Sequence, residues 1–354
     1  MDITQLLTFA HSEGASDLHL SAGEPPMVRI HGDVKRIEHP PLSAEEVHTM
    51  LYDIMSDQIR KTYEAINDAD FSFELGDIAR FRVNVFRTRR GEGAVFRTIP
   101  AKVVTLDDLG MPPIMKELCD KEKGLILVTG PTGSGKSTTL AAMINHINDS
   151  FEGHILTIED PIEYMHRHKV AVVNQREVGS DTLSFAEALK HALRQDPDVI
   201  LVGELRDLET MSTALTAAET GHLVFATLHT QDAPGTIQRV IDVFPSHQQQ
   251  QVRVQLAGSL QGVVCQQLLP ALTGKGRVAA VEVLVATPAV RNLIREGKVH
   301  QIRTAMQAGG KYGMHTMEQS LAQLVRAGQI SAAAAMERAA NAEELLDLLG
   351  RGRQ

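Results

Sequence analysis

The pattern of apolar and polar residues over the first hundred positions predicts the alternating helices and strands of a small α+β domain. Apolar side chains recur at helical spacing in residues 1–14, where Ile3, Leu6 and Leu7 line one side. Further along, apolar and polar residues alternate, which is the period of a strand with one buried face. Such strands are predicted over residues 15–21, 27–34, 70–75, 79–86 and 93–99, with a possible tight turn at Gly32-Asp33 inside the second.

Two helix starts lie between these strands. Ser43 precedes a helical stretch and Glu46 follows three residues later, the spacing of a capping box in which each side chain bonds the other residue's backbone N–H. That helix is predicted to run to about Met55, and a second start at Ser56 leads into a helix that ends near Ala65. Together with the strands, these helices predict an antiparallel α+β domain over residues 1–100.

From residue 119 onward the pattern changes to short, continuously apolar runs separated by helical segments. Continuous apolar runs are typical of parallel strands that are buried on both faces. The runs lie near residues 126, 156, 200 and 225, and they alternate with predicted helices at 135–149, 183–195, 208–220 and 232–240. This order predicts a parallel sheet with right-handed crossovers, that is, a RecA-like α/β domain over residues 119–354. Residues 101–118 are expected to be a linker.

The most specific chemical signal is a glycine-rich segment between the first apolar run and its helix. It fits G-x-x-x-x-G-K-[ST], the phosphate loop in which backbone N–H groups and a helix N-terminus face phosphate oxygens. Lys136 is expected to reach the β- and γ-phosphates of ATP, and the Ser137 hydroxyl to hold Mg²⁺. The strand before and the helix after argue against a glycine-rich turn that matches by chance. The predicted nucleotide-binding residues are Gly130, Pro131, Thr132, Gly133, Ser134, Gly135, Lys136, Ser137 and Thr138.

Carboxylates follow two other apolar runs, at the strand ends where ligands bind in open α/β sheets. Glu204 is the strongest candidate for coordinating Mg²⁺, directly or through water, and for activating the attacking water. Glu163 is predicted to assist it, with a solvated acidic loop as the alternative. His229 ends a further run and could contact the γ-phosphate, although a lone histidine at a strand edge is more often structural. A metal site with His222 is not expected, since no third ligand is evident.

Composition narrows the function classes. Of the 354 residues, 43% are hydrophobic. The formal net charge is −9, which argues against a nucleic-acid-binding surface because such a surface is basic. The two cysteines are far apart with no C-x-x-C pair, which indicates neither a zinc ribbon nor a redox motif. No signal-peptide pattern and no apolar run of membrane-spanning length are evident. We therefore expect a cytosolic protein that does not bind nucleic acid.

Four segments together resemble the secretion-ATPase superfamily that powers type IV pili and type II secretion. The phosphate loop, ILTIEDPIEY (155–164), DPDVILVGELRD (196–207) and TAAETGHLVFATLHT (216–230) are similar to that family's Walker A, Asp box, Walker B and His box, in this order. Two more segments, GASDLHLSAGEPPMVRIHG (14–32) and AVRNLIRE (289–296), are similar to the PilT-type pilus retraction ATPases. The tetracysteine zinc insertion of many extension and type II secretion ATPases is absent from the sequence.

The resemblance implies a homo-hexameric ATPase that powers pilus retraction and twitching motility, with a PAS-like N-terminal domain ahead of the RecA-like domain. Each ATP would lie between the core of one subunit and the N-terminal domain of the next, where Arg82 and Arg97 match the family's arginine fingers. The strand pattern places Arg82 on a polar face, which fits that role and also fits a solvated sheet face. The implied partners are an inner-membrane pilus platform protein and related pilus ATPases, at the cytoplasmic face of that membrane.

Three alternatives stay open. A pilus extension or type II secretion ATPase would use the same core, but the missing zinc insertion and the AVRNLIRE segment argue against it. A weakly hydrolysing accessory subunit would bind ATP without working as a motor, and an intact Glu204 argues against it. A nucleic-acid translocase on this core is disfavoured by the acidic balance.

The AVRNLIRE segment has the spacing of an amphipathic helix. Val290, Leu293 and Ile294 are predicted to be buried, with Arg291 and Arg295 on the outer face. The segment is therefore either an ordinary helix with a solvated basic edge or a contact needed for retraction but not for hydrolysis.

Overall fold

The computed structural model describes residues 2–30, 32–76, 78–99 and 103–350, and the chain divides into two units. The first unit comprises Met1–Lys102 with Glu163–Met165, and the second comprises Val103–Ile162 with His166–Gln354. Each unit has its own hydrophobic core.

The first unit is built on a six-stranded sheet in the order β3-β2-β1-β6-β5-β4, in which every pairing is antiparallel. The predicted alternation is confirmed in β5, where Phe81, Val83 and Val85 are buried and Arg82 is exposed. The strand predicted over 27–34, with a possible tight turn at Gly32-Asp33, is a pair of antiparallel strands, β2 and β3, and β3 begins at Asp33. The elements of this unit are α1 (Ile3–Ser12), β1 (Asp17–Ser21), β2 (Met27–Ile30), β3 (Asp33–Arg36), α2 (Ala44–Ile54), α3 (Asp57–Ile66), β4 (Asp68–Leu75), β5 (Ala79–Thr88) and β6 (Gly91–Ile99).

Both predicted helix starts in this unit are confirmed. The Ser43 hydroxyl accepts a hydrogen bond from the Glu46 N–H at 3.2 Å, and the Glu46 carboxylate accepts one from the Ser43 N–H at 2.7 Å. The Ser56 hydroxyl caps α3 by accepting from the Ile59 N–H at 3.4 Å. These bonds satisfy backbone donors that the first helical turn leaves without partners.

The second unit contains a seven-stranded sheet in the order β13-β12-β7-β11-β10-β8-β9. The four predicted strands, β7, β8, β10 and β11, pair in parallel as expected. Three strands were not predicted: β9 is largely polar, and β12 and β13 form an antiparallel pair beyond the last predicted helix. The elements are α4 (Ile114–Cys119), β7 (Gly124–Thr129), α5 (Lys136–Ser150), β8 (His154–Glu159), β9 (Val172–Glu177), α6 (Phe185–Ala192), β10 (Val199–Val202), α7 (Leu208–Glu219), β11 (Leu223–Leu228), α8 (Ala233–Asp242), α9 (Gln249–Ser259), β12 (Leu260–Pro270), β13 (Arg277–Val285), α10 (Pro288–Arg295), α11 (Ile302–Gln307), α12 (Met317–Arg326), α13 (Ala332–Arg338) and α14 (Ala342–Gly350), with short 3-10 helices at Val299–Gln301 and Gly310–Tyr312.

The segment expected to be a linker, 101–118, is different in the structure. Residues 101 and 102 lie outside the described residues, and residues 103–118 belong to the second unit. Leu106, Met115 and Leu118 are buried in a hydrophobic cluster of that unit, which also holds β7 and α5 side chains. The linker prediction was therefore wrong for 103–118, because these apolar residues pack into the core.

The AVRNLIRE segment forms most of α10, with Val290 and Ile294 fully buried and Leu293 partly buried. The sequence predicts Arg291 on the outer face of the helix, and this prediction is wrong. Its Nη1 donates to the carbonyl oxygens of Ala257 at 2.7 Å and Gly258 at 2.9 Å, in the last turn of α9. Helix α10 therefore uses this arginine to satisfy carbonyls at the end of another helix, a partner that helical periodicity cannot identify.

Candidate nucleotide-binding site

The predicted phosphate loop lies between the end of β7 at Thr129 and the start of α5 at Lys136. Gly130, Gly133 and Gly135 adopt φ values of 143°, 78° and 89°, a region that side chains disfavour. A Cβ on Gly130 would collide with the backbone oxygen of Gln266 and the hydroxyl of Ser134. The glycines are thus needed both for the curvature of this segment and for the close approach of neighbouring atoms.

The loop leads into the N-terminus of α5, where unpaired backbone N–H groups and the helix dipole favour anions. The Lys136 Nζ donates to the carbonyl oxygens of Gly130 at 2.8 Å and Pro131 at 3.1 Å, so the ammonium group lies over the loop. Burial lowers the pKa of Lys136, and the negative charge of Glu204 opposes that shift. The Ser134 hydroxyl is buried and has no hydrogen-bond partner among the described residues. The curved loop, the Lys136 ammonium group and the unpaired Ser134 hydroxyl together fit a phosphate ligand.

Glu204 lies just beyond the end of β10, at the same edge of the sheet as the phosphate loop. The backbone on either side of it is fixed, since the Gly203 N–H donates to Ile158 O at 2.7 Å and the Leu205 N–H donates to Thr227 O at 3.0 Å. These bonds tie the residue to the ends of β8 and β11. The side chain is 18% exposed.

Arg206 and His229 hold the Glu204 carboxylate. Arg206 Nη2 lies 2.8 Å from Oε2, and His229 Nε2 lies 3.0 Å from Oε1. Burial alone would raise the pKa of Glu204, but the hydrogen bond and charge of Arg206 and the contact with His229 lower it overall. The carboxylate is therefore ionised at neutral pH and fixed at both oxygens.

The structure brings some predicted residues together in one unit and places others elsewhere. Lys136, Glu204 and His229 belong to the second unit and lie at the strand ends. Glu163 lies in the short segment that groups with the first unit, beyond the end of β8 at Glu159. Its role beside Glu204 stays a prediction.

The two predicted arginine fingers belong to the first unit, where they are cross-strand neighbours. Arg82 on β5 is paired with Arg97 on β6, and Arg97 in turn is paired with Asp17 on β1. Arg97 Nε lies 2.9 Å from the buried Asp17 Oδ1, and Arg29 Nε lies 3.7 Å from Oδ2. Burial alone would raise the pKa of Asp17, but the Ser16 hydroxyl and Arg97 lower it overall.

Two residues at the site had no role in the sequence analysis. Arg206 was noted only as part of a motif, although its Nη2 makes the shortest ionic contact with the Glu204 carboxylate. Gln266 on β12 donates from Nε2 to Ser134 O at 2.8 Å, so it contacts the phosphate loop from a strand that was not predicted. The signal in the sequence was a polar Gln266-Gln267 pair inside an otherwise apolar run.

The donor set also fits Mg²⁺. Ser137 is exposed in the first turn of α5, and Glu204 supplies a carboxylate at the neighbouring strand end. Hydroxyl and carboxylate oxygens are the ligands that Mg²⁺ takes beside substrate phosphates.

Among the described residues, no helix combines the length and the apolar character that a membrane span needs.

Comparison with known proteins gives consistent matches over nearly the whole chain. The family model described as Type II/IV secretion system protein matches residues 1–338. The chain is 59% identical over 339 residues to the type IV pilus retractation ATPase PilT of Pseudomonas aeruginosa, covering 96% of this chain and 98% of that protein. It is 57% identical over 320 residues to a twitching motility protein of Neisseria gonorrhoeae, covering 90% and 86%. A crystal structure of the pilus retraction motor PilT with bound ADP aligns with a TM-score of 0.93 at 50% identity, covering 98% of this chain and 99% of that one.

Proposed function

Because the chain belongs to the type II/IV secretion system family and, within it, to the PilT-type retraction ATPases, we propose that it hydrolyses ATP to drive type IV pilus retraction and twitching motility. The observation that carries this proposal is the phosphate loop with Lys136 beside the ionised Glu204, at one edge of one sheet. A loop that binds phosphates and a fixed carboxylate that orients water are two of the parts used for hydrolysis of a phosphoanhydride.

The loop residues Gly130–Thr138 would bind the phosphates through backbone N–H groups, and Lys136 would turn from its carbonyl contacts to the β- and γ-phosphate oxygens. Ser137 would hold Mg²⁺, with Glu204 as a ligand directly or through water. When bound, Mg²⁺ supplies positive charge that neutralises the phosphate oxygens. Nothing in this arrangement requires a covalent intermediate.

Glu204 would orient the attacking water. A carboxylate whose pKa is lowered is a weak base, but phosphoryl transfer passes through a loose transition state that needs little proton abstraction before the P–O bond breaks. Position is then more important than basicity, and Arg206 and His229 fix both carboxylate oxygens. A γ-phosphate would compete with the Glu204 carboxylate for Arg206 and His229, which gives His229 a route to sense hydrolysis. Glu163 would assist from beyond the end of β8.

We further propose that the protein works as a homo-hexamer, in which Arg82 and Arg97 of one subunit stabilise the transition state at the site of the next. A head-to-tail interface of this kind closes into a ring. The motor would act at the cytoplasmic face of the inner membrane, with a pilus platform protein and related pilus ATPases as partners. The relatives named as a type IV pilus retractation ATPase and a twitching motility protein support the link to the pilus.

Steady-state ATP hydrolysis by the purified protein tests the proposal, with the oligomer mass measured on the same sample. Glu204→Gln and Lys136→Ala are expected to lower turnover at least 100-fold. Glu209→Gln is the matched control, because Glu209 is an exposed carboxylate in the first turn of α7. It should keep turnover within about twofold, as surface substitutions usually do.

Two results would contradict the proposal. Full turnover by Lys136→Ala would place the chemistry elsewhere in the protein. A well-folded wild-type hexamer that binds ATP without turning it over would favour an accessory ATP-binding subunit.

A further inference from the structure

We propose that Gln266 is a positioning residue for the phosphate loop, and that its side-chain amide holds the loop in the shape that receives nucleotide phosphates. This inference rests on the proposed function, because it assumes that the loop binds a nucleotide. It adds a residue that lies far from the loop in the sequence.

The position of Gln266 follows from strand pairing. Strand β12 runs parallel to β7, with Cys265 opposite Thr129, so Gln266 lies beside Gly130, where the loop begins. Its side chain is buried, and the residue is only 3% exposed. A buried amide is costly unless its N–H and C=O groups are hydrogen-bonded.

Both ends of the Gln266 amide have a partner. Nε2 donates to the carbonyl oxygen of Ser134 at 2.8 Å, and Oε1 accepts from the Thr139 hydroxyl at 2.7 Å. A Cβ on Gly135 would lie 2.7 Å from the same Nε2, so the amide is packed directly against the loop. One side chain therefore joins the end of the loop to the first turn of α5, on either side of Lys136 and Ser137.

The bond to Ser134 has a geometric consequence. In a planar trans peptide, the C=O of one residue and the N–H of the next point in opposite directions. Holding Ser134 O toward β12 therefore turns the Gly135 N–H away from β12. In a phosphate loop these N–H groups must face the phosphate oxygens. The amide thus fixes the orientation of one phosphate-binding N–H before any nucleotide arrives.

A simpler explanation is that the Gln266 side chain only fills the space left by Gly135. A methionine has a similar length and would fill that space without a donor or an acceptor. Gln266→Met therefore separates the two explanations. Gln267→Met is the matched control, because Gln267 is the next residue of the same strand, points to the opposite face and is partly exposed.

The test measures the dissociation constant of a fluorescent ATP analogue and of ADP, together with KM, kcat and the thermal unfolding midpoint. Loss of two neutral hydrogen bonds is expected to raise the Kd and KM of Gln266→Met about tenfold. Because the loop binds ground state and transition state alike, kcat at saturating ATP should change less than about threefold. For Gln267→Met, the Kd, KM and kcat should each stay within about twofold of the wild-type values.

A second pair of variants keeps the test decisive if Gln266→Met folds poorly. Thr139→Val removes only the hydroxyl donor to Oε1 and should raise Kd about threefold, whereas Thr139→Ser keeps the hydroxyl and should restore binding. Wild-type affinity in folded Gln266→Met, or an equal loss in Gln267→Met, would overturn the inference alone. No nucleotide binding by the unchanged protein would overturn the proposed function, and the inference with it.

Discussion

Replacing Arg291 by methionine is expected to loosen the end of α9 while leaving the nucleotide site intact. Its Nη1 donates to Ala257 O at 2.7 Å and Gly258 O at 2.9 Å, and its Nη2 donates to Gln261 Oε1 at 3.3 Å. Carbonyls in the last turn of a helix have no partner within the helix, and the helix dipole favours a cation there. Methionine keeps much of the packing of the side-chain stem but none of the donors.

The size of the effect follows from these contacts. A hydrogen bond to a charged group contributes about 1.5–3 kcal/mol, and water can replace part of it at a half-buried position. We therefore expect a loss of about 2 kcal/mol in the local opening free energy, which corresponds to about 30-fold faster exchange of the protected amides. Arg291→Lys keeps the cation and should lie between the wild type and Arg291→Met.

Hydrogen exchange measured on peptides that cover residues 254–262 and 288–296 tests this expectation. Arg295→Met is the control, because Arg295 is exposed and, among the described residues, its side chain is hydrogen-bonded only to Asn292 of its own helix, at 3.4 Å. Gln261 and Gln266 are five residues apart on β12, or about 17 Å along a strand. The Kd for ATP should therefore stay within twofold. Unchanged exchange in Arg291→Met, or the same increase in Arg295→Met, would refute the capping argument.

Three further predictions concern other contacts. Arg303 Nη2 lies 2.6 Å from Glu318 Oε2 and 2.8 Å from Glu344 Oε2, and the Glu318 side chain is 0% exposed. Arg303→Met should therefore lower the free energy of unfolding of the second unit, measured in urea, by about 3 kcal/mol. Arg303→Lys should lower it by less. Gly130→Ala should abolish binding of a fluorescent ATP analogue, because φ is 143° and a methyl group has no space there. Asp17→Asn should lower the thermal unfolding midpoint of the first unit at pH 7, and the difference from wild type should disappear as the pH falls below 3.8, since a carboxyl group with a lowered pKa stabilises the fold only while it is ionised.

Local patterns were sufficient for most of the fold. The alternation of Phe81, Val83 and Val85 with polar residues predicted β5, and the three-residue spacing of Ser43 and Glu46 predicted the start of α2. The glycine pattern predicted where β7 ends and α5 begins. Each of these signals lies within a few residues of chain, and the backbone geometry that it specifies is equally local.

The missed contacts have partners that are distant in sequence. Gln266 and Ser134 are separated by 132 positions, and Arg97 and Asp17 by 80. Only the order of strands in the sheet brings β12 beside β7 and β1 beside β6. A hydrophobic pattern specifies which face of a strand is buried, but it does not specify which strand lies next to it. For this reason the position of Glu204 at a strand end could be predicted. Of the two residues that contact its carboxylate, His229 was given a role in the sequence analysis and Arg206 was not.

Charge balance in the first unit supports an anionic partner for its arginines. Arg82 and Arg97 are directly opposite on neighbouring strands, where like charges repel. The carboxylate of Asp17 compensates this repulsion, but Arg97 shares it with Arg29, so this row of the sheet holds three guanidinium groups and one carboxylate. Such a row favours a multiply charged oxyanion, which guanidinium groups bind in bidentate fashion. In the proposed hexamer, the triphosphate of a neighbouring subunit would be an anion of this kind, and approaching it would relieve the repulsion between Arg82 and Arg97. The proposed role of the two arginines therefore agrees with the charge balance of the unit that carries them.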